Sequence, residues 1–416
     1  MSRSRIWNNR DFRWLISGQT VSEFGSAVSG FALPWLMLQM TGSALQMGLS
    51  FAVGFVPYLL LSLPAGVWAD QWDRKRMMVL ADGLRMALIA TIPAASLAGV
   101  LTVAQLYIVM AGMSACNALF DAAYVSCLPN VVDRSELQEA NAALQGTVSV
   151  SQILGPALAM GLIGFVGAAN TLVLDALSYL VSVVSLLSIR RPFSAHSTGR
   201  MEQGMLRNIL EGLRYVWNQR LIRTISLFTL VGNLGGSAAS ALVLYRLHHD
   251  LHASVYLSGL AMAGFSAGSV LGSFLSGFLS RRMQPGRLMA ASLFLFSIPD
   301  LVTAAARSPL VIGLANVLMG VSIVLWNVQS VSLRQSVIPD HMLGRASSSI
   351  RMLVWCSIPL GNAMGGVAGE WFGTVAVFTA TGLMHLLVWL AGFRTPLYRW
   401  SRTTFDSPAA RTPASG

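Results

Sequence analysis

Acidic side chains inside apolar runs are the groups in this sequence best suited to chemistry. Glu23 stands in such a run, roughly 14 Å beyond Trp14 along a helix that rises about 1.5 Å per residue. If the run crosses a membrane, the Glu23 carboxyl group lies near the middle of the bilayer, where ionisable side chains are costly and usually face a cavity. A carboxyl group shielded from water keeps its proton to higher pH and can exchange it near neutrality. Glu23 is therefore the first candidate for proton coupling.

Asp121 is the second candidate for proton coupling. It lies towards the end of another apolar run, so it could equally cap a helix or pair with a basic loop residue near the membrane surface. Asp175 and Asp300 are interpreted as structural acids, and Glu370 is expected at the outer surface. The predicted proton-coupling residues are thus Glu23 and Asp121.

The composition indicates which elements must hold these acids. Hydrophobic residues make up 54% of the 416 residues and charged residues only 11%, against about 25% charged in a soluble domain. A membrane-spanning helix needs about 20 predominantly apolar residues. Apolar runs between turn and charge signals predict twelve spans, near residues 13–38, 45–68, 77–100, 103–127, 142–165, 170–189, 221–245, 255–279, 288–306, 309–333, 346–369 and 373–393. The sequence therefore predicts an all-α membrane protein surrounded by the lipid bilayer.

Basic residues predict the orientation of these spans. Lys and Arg favour the cytoplasmic side of short loops. With both termini inside, all but Arg246 and Arg307 of the 28 basic residues fall in or beside cytoplasmic segments. The net charge of +11 is therefore a topology signal, and its spread over many segments argues against nucleic acid as a partner. We expect a multi-pass protein of the inner (plasma) membrane with both termini in the cytoplasm.

Signatures of enzymes and of metal sites are missing from the sequence. There is no Gly-x-x-x-x-Gly-Lys loop, catalytic triad or metal-binding helix motif, so neither catalysis nor ATP-driven transport is expected. Cys116, Cys127 and Cys356 fall inside predicted spans, without disulfide or zinc spacing. The stretch from His248 to His252 is better explained as a solvated loop, because neighbouring ligands seldom close a coordination sphere. We predict no enzyme activity, no cofactor and no metal.

An internal repeat divides the chain into two halves. The stretch GVWADQWDRKRMM from Gly66 recurs loosely as GFLSRRMQPGRLM from Gly277. Similarly, LPNVVDRSELQEANAAL from Leu128 has a counterpart in IPDHMLGRASSSI from Ile338. Such repetition indicates two six-helix units in the same orientation, related by an axis along the membrane normal. The predicted organisation is a first half over 1–190, a cytoplasmic linker with an interfacial amphipathic helix over 191–220, a second half over 221–393 and a disordered cytoplasmic tail over 394–416.

The loop GVWADQWDRKR resembles the loop signature of the major facilitator superfamily through Gly66, Asp70, Arg74 and Arg76, and the repeat extends this resemblance over nearly the whole chain. The stretches TGSALQMGL, LPNVVDRSELQEANA and EGLRYVWNQRLIR are similar to the bacterial macrolide-efflux and enterobactin-exporter group of drug:proton antiporters. The resemblance implies a monomer with the major facilitator fold. It also implies secondary export of amphipathic small molecules, of antibiotic or siderophore type, by alternating access and proton antiport. A lipid flippase or a solute uptake transporter of the same fold is the alternative.

The chain departs from the family pattern in several places. Asp73 stands where many members have Gly, and the second repeat has Arg281 where the first has Asp70. The fifth span keeps Gly155 and Pro156 of the antiporter motif but lacks its paired glycines, and the fourth span lacks the Arg-x-x-Gln-Gly pattern. A proton relay through an arginine of the fourth span is therefore not expected.

Asp70 is predicted to act as a latch between the halves. In the fold that the resemblance implies, its loop lies against the start of the eleventh span near Arg345, where free N–H groups favour a carboxylate. The latch set is Gly66, Asp70, Arg74, Arg76 and Arg345. The bases beside Asp70 are expected to pair with acids: Arg74, Lys75 and Arg76 with Asp73, Asp133 and Glu136. The simpler interpretation, a solvated loop that only sets topology, explains the bases but not the acid.

The resemblance implies that the first, fourth, seventh and tenth spans line the transport pathway. Each carries polar residues at helical spacing, which would be costly against lipid and should face a seam or water. The predicted cavity residues are Gln19, Ser26, Asn117, Asn233, Ser237, Trp326 and Asn327. Their amide, hydroxyl and aromatic groups suit a weakly polar or cationic small molecule. The sixth span has an equally regular stripe of Asp175, Ser178, Ser182 and Ser185, although the resemblance places that span outside the cavity.

Overall fold

The computed structural model describes residues 5–133, 136–191, 193 and 205–399. These residues form helices joined by short turns, and no strand occurs among them. They separate into two compact units, Met1–Met201 with His252–Leu260 and Glu202–Leu251 with Ala261–Gly416. Most of the predicted tail over 394–416 lies outside the described residues.

The first unit is built from six long helices. They are α1 Arg10–Thr41, α2 Ala44–Gln71, α3 Arg74–Leu97, α4 Val103–Val131, α5 Leu137–Val166 and α6 Ala168–Ser188. Polar side chains fix the starts of the first four, because each accepts a hydrogen bond from a free N–H group in the first turn. These capping residues are Asn9, Ser43, Asp73 and Thr102.

The remaining helices belong to the second unit, apart from residues 255–260 at the start of one of them, which belong to the first. These helices are α7 Met205–Asn218, α8 Arg220–Tyr245, α9 Val255–Arg282, α10 Pro285–Ala305, α11 Pro309–Val337, α12 Asp340–Trp355, α13 Ser357–Phe372 and α14 Thr374–Gly392. Across both units, the described residues include twelve helices long and apolar enough to cross a membrane, with α12 and α13 together forming one of them. Each coincides with a predicted span, so the prediction of an all-α protein with twelve such helices is confirmed.

The eleventh span is divided at Cys356, although the sequence indicated a continuous run. Pro359 explains the division, because proline has no N–H to bond the Trp355 carbonyl group and its ring crowds that group. Side chains also contact the neighbouring carbonyl oxygen, that of Val354. The Ser357 hydroxyl donates to it at 2.7 Å, and Asn233 Nδ2 lies 3.5 Å away.

The helix predicted within the 191–220 linker is present as α7. It packs on α12, where Gly212 lies directly against the Arg345 carbonyl group and leaves no room for a Cβ atom. Val216 is buried, whereas Leu210 and Trp217 are 64% and 53% exposed. An apolar exposed face suits a helix at the membrane interface, and that location stays a prediction.

Helix α6 turns its polar side inward and its apolar side outward. Its buried residues include Asp175, Ser178, Ser182 and Ser185, which follow one another at helical spacing. Its exposed residues are large and apolar: Val173, Leu174, Leu177, Leu180, Val181, Val184 and Leu187. This arrangement is the reverse of a water-soluble helix and is what a lipid-facing surface requires. The unexplained stripe of the sixth span is therefore a packing seam.

Small residues allow α1 to approach its neighbours closely. A Cβ atom at Gly18 would collide with Ser185, and one at Gly25 would collide with Ser178, both on α6. On α5, a Cβ atom at Gly155 would collide with Ala27 of α1. Close backbone approach at small residues is the usual way in which membrane helices pack. Gly155 of the antiporter-like motif thus has a packing role in this unit.

Asp73→Ala is expected to lower the free energy of unfolding by about 1 kcal/mol. Asp73 Oδ1 accepts from the Arg76 backbone N–H at 2.8 Å and so caps α3. Asp73→Ser should retain most of the stability, because serine caps equally well. Denaturant unfolding in detergent micelles measures both variants, and equal midpoints for the alanine variant and the parent would refute the capping role.

Candidate functional site

A cavity of about 220 Å³ lies between α1, α4 and α5 of the first unit. Its lining mixes amide, hydroxyl, aromatic and apolar side chains with one acid. The lining residues are Gln19, Glu23, Tyr124, Val125, Leu128, Asn141, Leu144, Gln145, Thr147 and Val148. The structure thus brings two predicted residues, Glu23 and Gln19, to one cavity wall, and adds side chains of α5 that the sequence interpretation had not included.

Glu23 is half-buried on α1, between two side chains that α6 holds in place. One turn before it, Gln19 Nε2 donates to the Ser182 hydroxyl at 3.3 Å. One turn after it, the Ser26 hydroxyl lies 2.9 Å from the Tyr179 hydroxyl. The segment of α1 that carries Glu23 is therefore fixed against α6.

An ion pair within α3 is deeply buried near Glu23. Arg85 Nη1 lies 2.8 Å from Asp82 Oδ1, and the two side chains are only 7% and 0% exposed. The Ser182 hydroxyl donates to Asp82 Oδ2 at 2.6 Å. The Arg85 guanidinium group also lies over the Phe120 ring, 4.6 Å from its centroid. Such contacts offset part of the cost of burying both charges.

Asp121 is held by α2 rather than by a basic loop residue. Its Oδ2 accepts from the Tyr58 hydroxyl at 3.0 Å, and its side chain is exposed on α4. Asp121 and Arg85 are both near enough to act electrostatically on Glu23. The two predicted proton-coupling residues therefore belong to one electrostatic cluster, which also contains Arg85.

Asp175 is tied between α6 and α1. It accepts from the Ser29 hydroxyl of α1 and from the Ser178 hydroxyl at 3.1 Å, and it is fully buried. These bonds agree with the interpretation of Asp175 as a structural acid.

The remaining predicted cavity residues are distributed over three helices. Asn117 is half-buried on α4. In the second unit, Asn233 approaches Val354 as described, and Ser237 lies beside Gly361 of α13. The Trp326 indole is buried and donates to the Thr229 hydroxyl at 3.2 Å, whereas Asn327 is exposed on α11. A part of these residues in substrate binding stays a prediction.

The loop between α2 and α3 uses its bases differently from the prediction. Lys75 Nζ donates to the carbonyl groups of Leu187 and Ile189, at 3.1 and 2.8 Å, and so caps the end of α6. The acid pairing predicted for Lys75 is replaced by these bonds, because the free carbonyl groups at a helix end attract cations. Asp133 has Arg191 as a partner, at 3.8 Å.

The other latch residues are placed as follows. Arg74 Nε donates to the Ala69 carbonyl group at 3.0 Å, the Arg76 side chain is exposed, and Gly66 is exposed on α2. The side chain of Asp70 lies outside what the structure describes. In the second unit, Arg345 pairs with Glu211 of α7 at 2.9 Å. The latch itself stays a prediction.

The first part of the His-rich stretch, which was predicted to be a solvated loop, lies instead in a π-helical turn, Arg246–Asp250, at the end of α8. Arg246 is buried and donates to the carbonyl groups of Thr303, Ala304 and Ala306, so it caps α10. The part of the chain that the structure describes contains no His, Cys, Asp and Glu cluster able to hold a metal ion.

Sequence reasoning missed Asp82 and Arg85. Both stand inside a predicted span, as Asp-Gly-Leu-Arg, and the rule that singled out Glu23 applies to them equally. It also missed His385, which lies 3.1 Å from Asp300 in the second unit. Ionisable residues inside apolar runs were the available signal in each case.

Comparisons with known proteins agree with this architecture. A family model described as transmembrane secretion effector matches residues 6–414. The multidrug efflux pump Tap of Mycobacterium tuberculosis is 28% identical over 404 residues, which cover 94% of this chain and 95% of that protein. Macrolide efflux protein A of Streptococcus pyogenes is 22% identical over 392 residues, which cover 93% of this chain and 96% of that protein.

Solved structures show the same fold. The nucleoside transporter NupG matches with a TM-score of 0.74 at 12% identity, over 94% of this chain and 100% of that one. A bacterial homologue of the human lysosomal transporter Spinster, inward-facing and occupied, matches with a TM-score of 0.74 at 15% identity, over 96% of this chain and 100% of that one. These likenesses concern the fold alone. Because the family model spans nearly the whole chain and its relatives are transporters, this protein is a transporter rather than an enzyme, and it belongs to the transmembrane secretion effector family of the major facilitator superfamily.

Proposed function

We propose that this transporter exports amphipathic small molecules in exchange for protons. The observation that carries the proposal is Glu23, a half-buried acid inside a membrane-crossing helix, on the wall of a cavity. An acid in this position can take a proton from one side of the membrane and release it to the other as the protein changes conformation. Two relatives named as efflux proteins support the direction of transport.

The cavity lining supports a weakly polar or cationic substrate of antibiotic or siderophore type. Apolar side chains such as Val125 and Leu128 alternate with the amide groups of Asn141 and Gln145. Glu23 is the acid of this lining, and the lining contains no basic side chain. A multiply anionic ligand would find no opposite charge there, whereas an amphipathic cation would find both apolar surface and a carboxylate.

The same proposal includes the setting of the protein. The protein is proposed to be a monomer in the inner (plasma) membrane, as the resemblance implies, and the distribution of basic residues supports a cytoplasmic location of both termini. Cysteine labels introduced near either terminus should react only with reagents that reach the cytoplasmic side.

Transport in liposomes tests the proposal. The protein is reconstituted into vesicles that contain a pH-sensitive dye, and erythromycin or ethidium is added across an imposed proton gradient. We expect each probe to move against its concentration gradient while protons move the opposite way, only in vesicles that contain protein. Probe movement without proton flux would refute antiport, and movement in the same direction as protons would indicate uptake. Movement of a fluorescent phospholipid alone would favour a flippase.

A further inference from the structure

The buried Asp82–Arg85 pair has no part in the function proposed so far. Its side chains are 0% and 7% exposed in the middle of α3, where moving two charges out of water is costly. Two apolar residues at these positions would continue the apolar pattern of α3 without the free-energy cost of burying charges. A charged pair at this depth therefore calls for an explanation beyond packing.

Two contact chains lead from this pair to the residues on either side of Glu23. Asp82 accepts from the Ser182 hydroxyl, and the same hydroxyl accepts from Gln19, one turn before Glu23. Both steps are hydrogen bonds between side chains of different helices, namely α3, α6 and α1.

The second chain runs through aromatic rings. The Arg85 guanidinium group lies over the Tyr179 ring, 5.6 Å from its centroid. The Tyr179 hydroxyl lies 2.9 Å from the Ser26 hydroxyl, one turn after Glu23. The position of Glu23 on the cavity wall is thus set from both sides by groups that contact the ion pair.

Arg85 also supplies positive charge to a region rich in acids. It acts electrostatically on Glu23, Asp121 and Asp175, and it pairs directly with Asp82. Its buried Nε atom donates to no acceptor among the described residues, so Asp82 does not use the whole guanidinium group. The titratable groups facing the pair and Glu23 are Cys116, Asp121 and Tyr124 on α4, and Asp175 and Tyr179 on α6.

We propose that Arg85, held in place by Asp82, is a positioning residue for Glu23 that also compensates its negative charge after the proton has left. This inference rests on the proton exchange at Glu23 proposed above. When Glu23 releases its proton to water, the Arg85 charge acts favourably on the resulting carboxylate, whereas the nearby Asp121 acts unfavourably on it. When Glu23 binds a proton, Asp82 alone balances Arg85, so the cluster gains no uncompensated positive charge. The pair thereby makes both protonation states of Glu23 accessible in one conformation.

Export by vesicles tests this inference when the pH on both sides is raised together at a constant gradient. In Arg85→Gln combined with Asp82→Asn, we expect the pH of half-maximal export to move to higher values, because Glu23 loses the favourable Arg85 charge that acts on it, and the simultaneous loss of Asp82 offsets only part of this effect. The double variant keeps hydrogen-bonding groups and leaves no lone charge buried. The single variant Arg85→Lys should keep a pH profile of export closer to that of the parent than the double variant does, since lysine retains the charge. Asp82→Asn alone should reduce the export rate, and it should displace the pH profile of export less than the double variant does.

Two further variants separate the charge effect from loss of structure. Ser182→Ala breaks the hydrogen-bond chain to Gln19 but retains Arg85, so it should lower the rate without moving the profile. Arg287→Gln removes an exposed arginine at the start of α10 and should change neither the export rate nor its pH profile. If the double variant exports with the parent's pH profile, the inference is wrong. If Glu23→Gln itself keeps that profile, proton exchange at Glu23 is wrong instead, whatever the Arg85 variants do.

Discussion

Glu23→Gln is expected to abolish proton-driven export while leaving expression and folding intact. Glutamine has the size of glutamate and, like its protonated form, both donates and accepts hydrogen bonds, but it has no ionisable proton. Because Glu23 lies half-buried on the cavity wall, the substitution does not disturb a packed core. We expect accumulation against a gradient to fall to background, and any remaining downhill movement of the probe to lose its dependence on pH. Vesicle transport over a range of pH measures both quantities.

Glu139→Gln is the matched control for this variant. It makes the same substitution at an exposed position near the start of α5 and should leave export unchanged. If export by the Glu23 variant and by the parent depends on pH in the same way, Glu23 has no part in proton coupling, and Asp121 becomes the candidate. Asp121→Asn would then be expected to show the loss predicted here for Glu23.

The spans could be predicted from the sequence because their signal is local. A run of about 20 apolar residues has few alternatives in a chain with 11% charged residues. The division of the eleventh span was missed although Pro359 is visible in the sequence. Prolines also stand inside α1, α2 and α3 without dividing them, as Pro34, Pro57 and Pro93 show. Whether a proline divides a membrane helix depends on which side chains satisfy the freed carbonyl groups, and this is a property of neighbouring helices.

The candidate site was predictable only in part, because a polar stripe does not reveal what it faces. Ser182 on α6 and Gln19 on α1 carry equivalent signals in the sequence, yet they bond to each other. Gln19 lines the cavity as well, whereas Ser182 is wholly buried. Helical spacing identified both polar faces and could not say which one would line a cavity. Pairing across helices decides this, and pairing is set by the fold.

His385→Leu is expected to destabilise the second unit by about 1–3 kcal/mol in the free energy of unfolding, the usual cost of leaving a buried polar group without its partner. His385 Nδ1 lies 3.1 Å from Asp300 Oδ2, and both side chains are 3% exposed. The other ring nitrogen lies 3.3 Å from the Gly232 carbonyl oxygen, and the Phe296 ring packs 5.7 Å from the imidazole ring. Removing the imidazole group leaves the Asp300 carboxyl group buried without its partner, which is the costly half of breaking a buried pair. Detergent-induced unfolding, followed by fluorescence, measures the change.

Two comparisons test the physical reason given for this prediction. His385→Leu combined with Asp300→Leu removes both polar groups, so the double variant should recover most of the lost stability, since apolar replacement of a buried pair is often neutral. His249 lies at the same 3.1 Å from Asp250, but its side chain is 56% exposed. Because water solvates that pair, His249→Leu should cost less than about 1 kcal/mol. If the single His385 variant is no less stable than the double variant, the carboxyl group of Asp300 does not depend on the imidazole group, and the pair contributes through its shape alone.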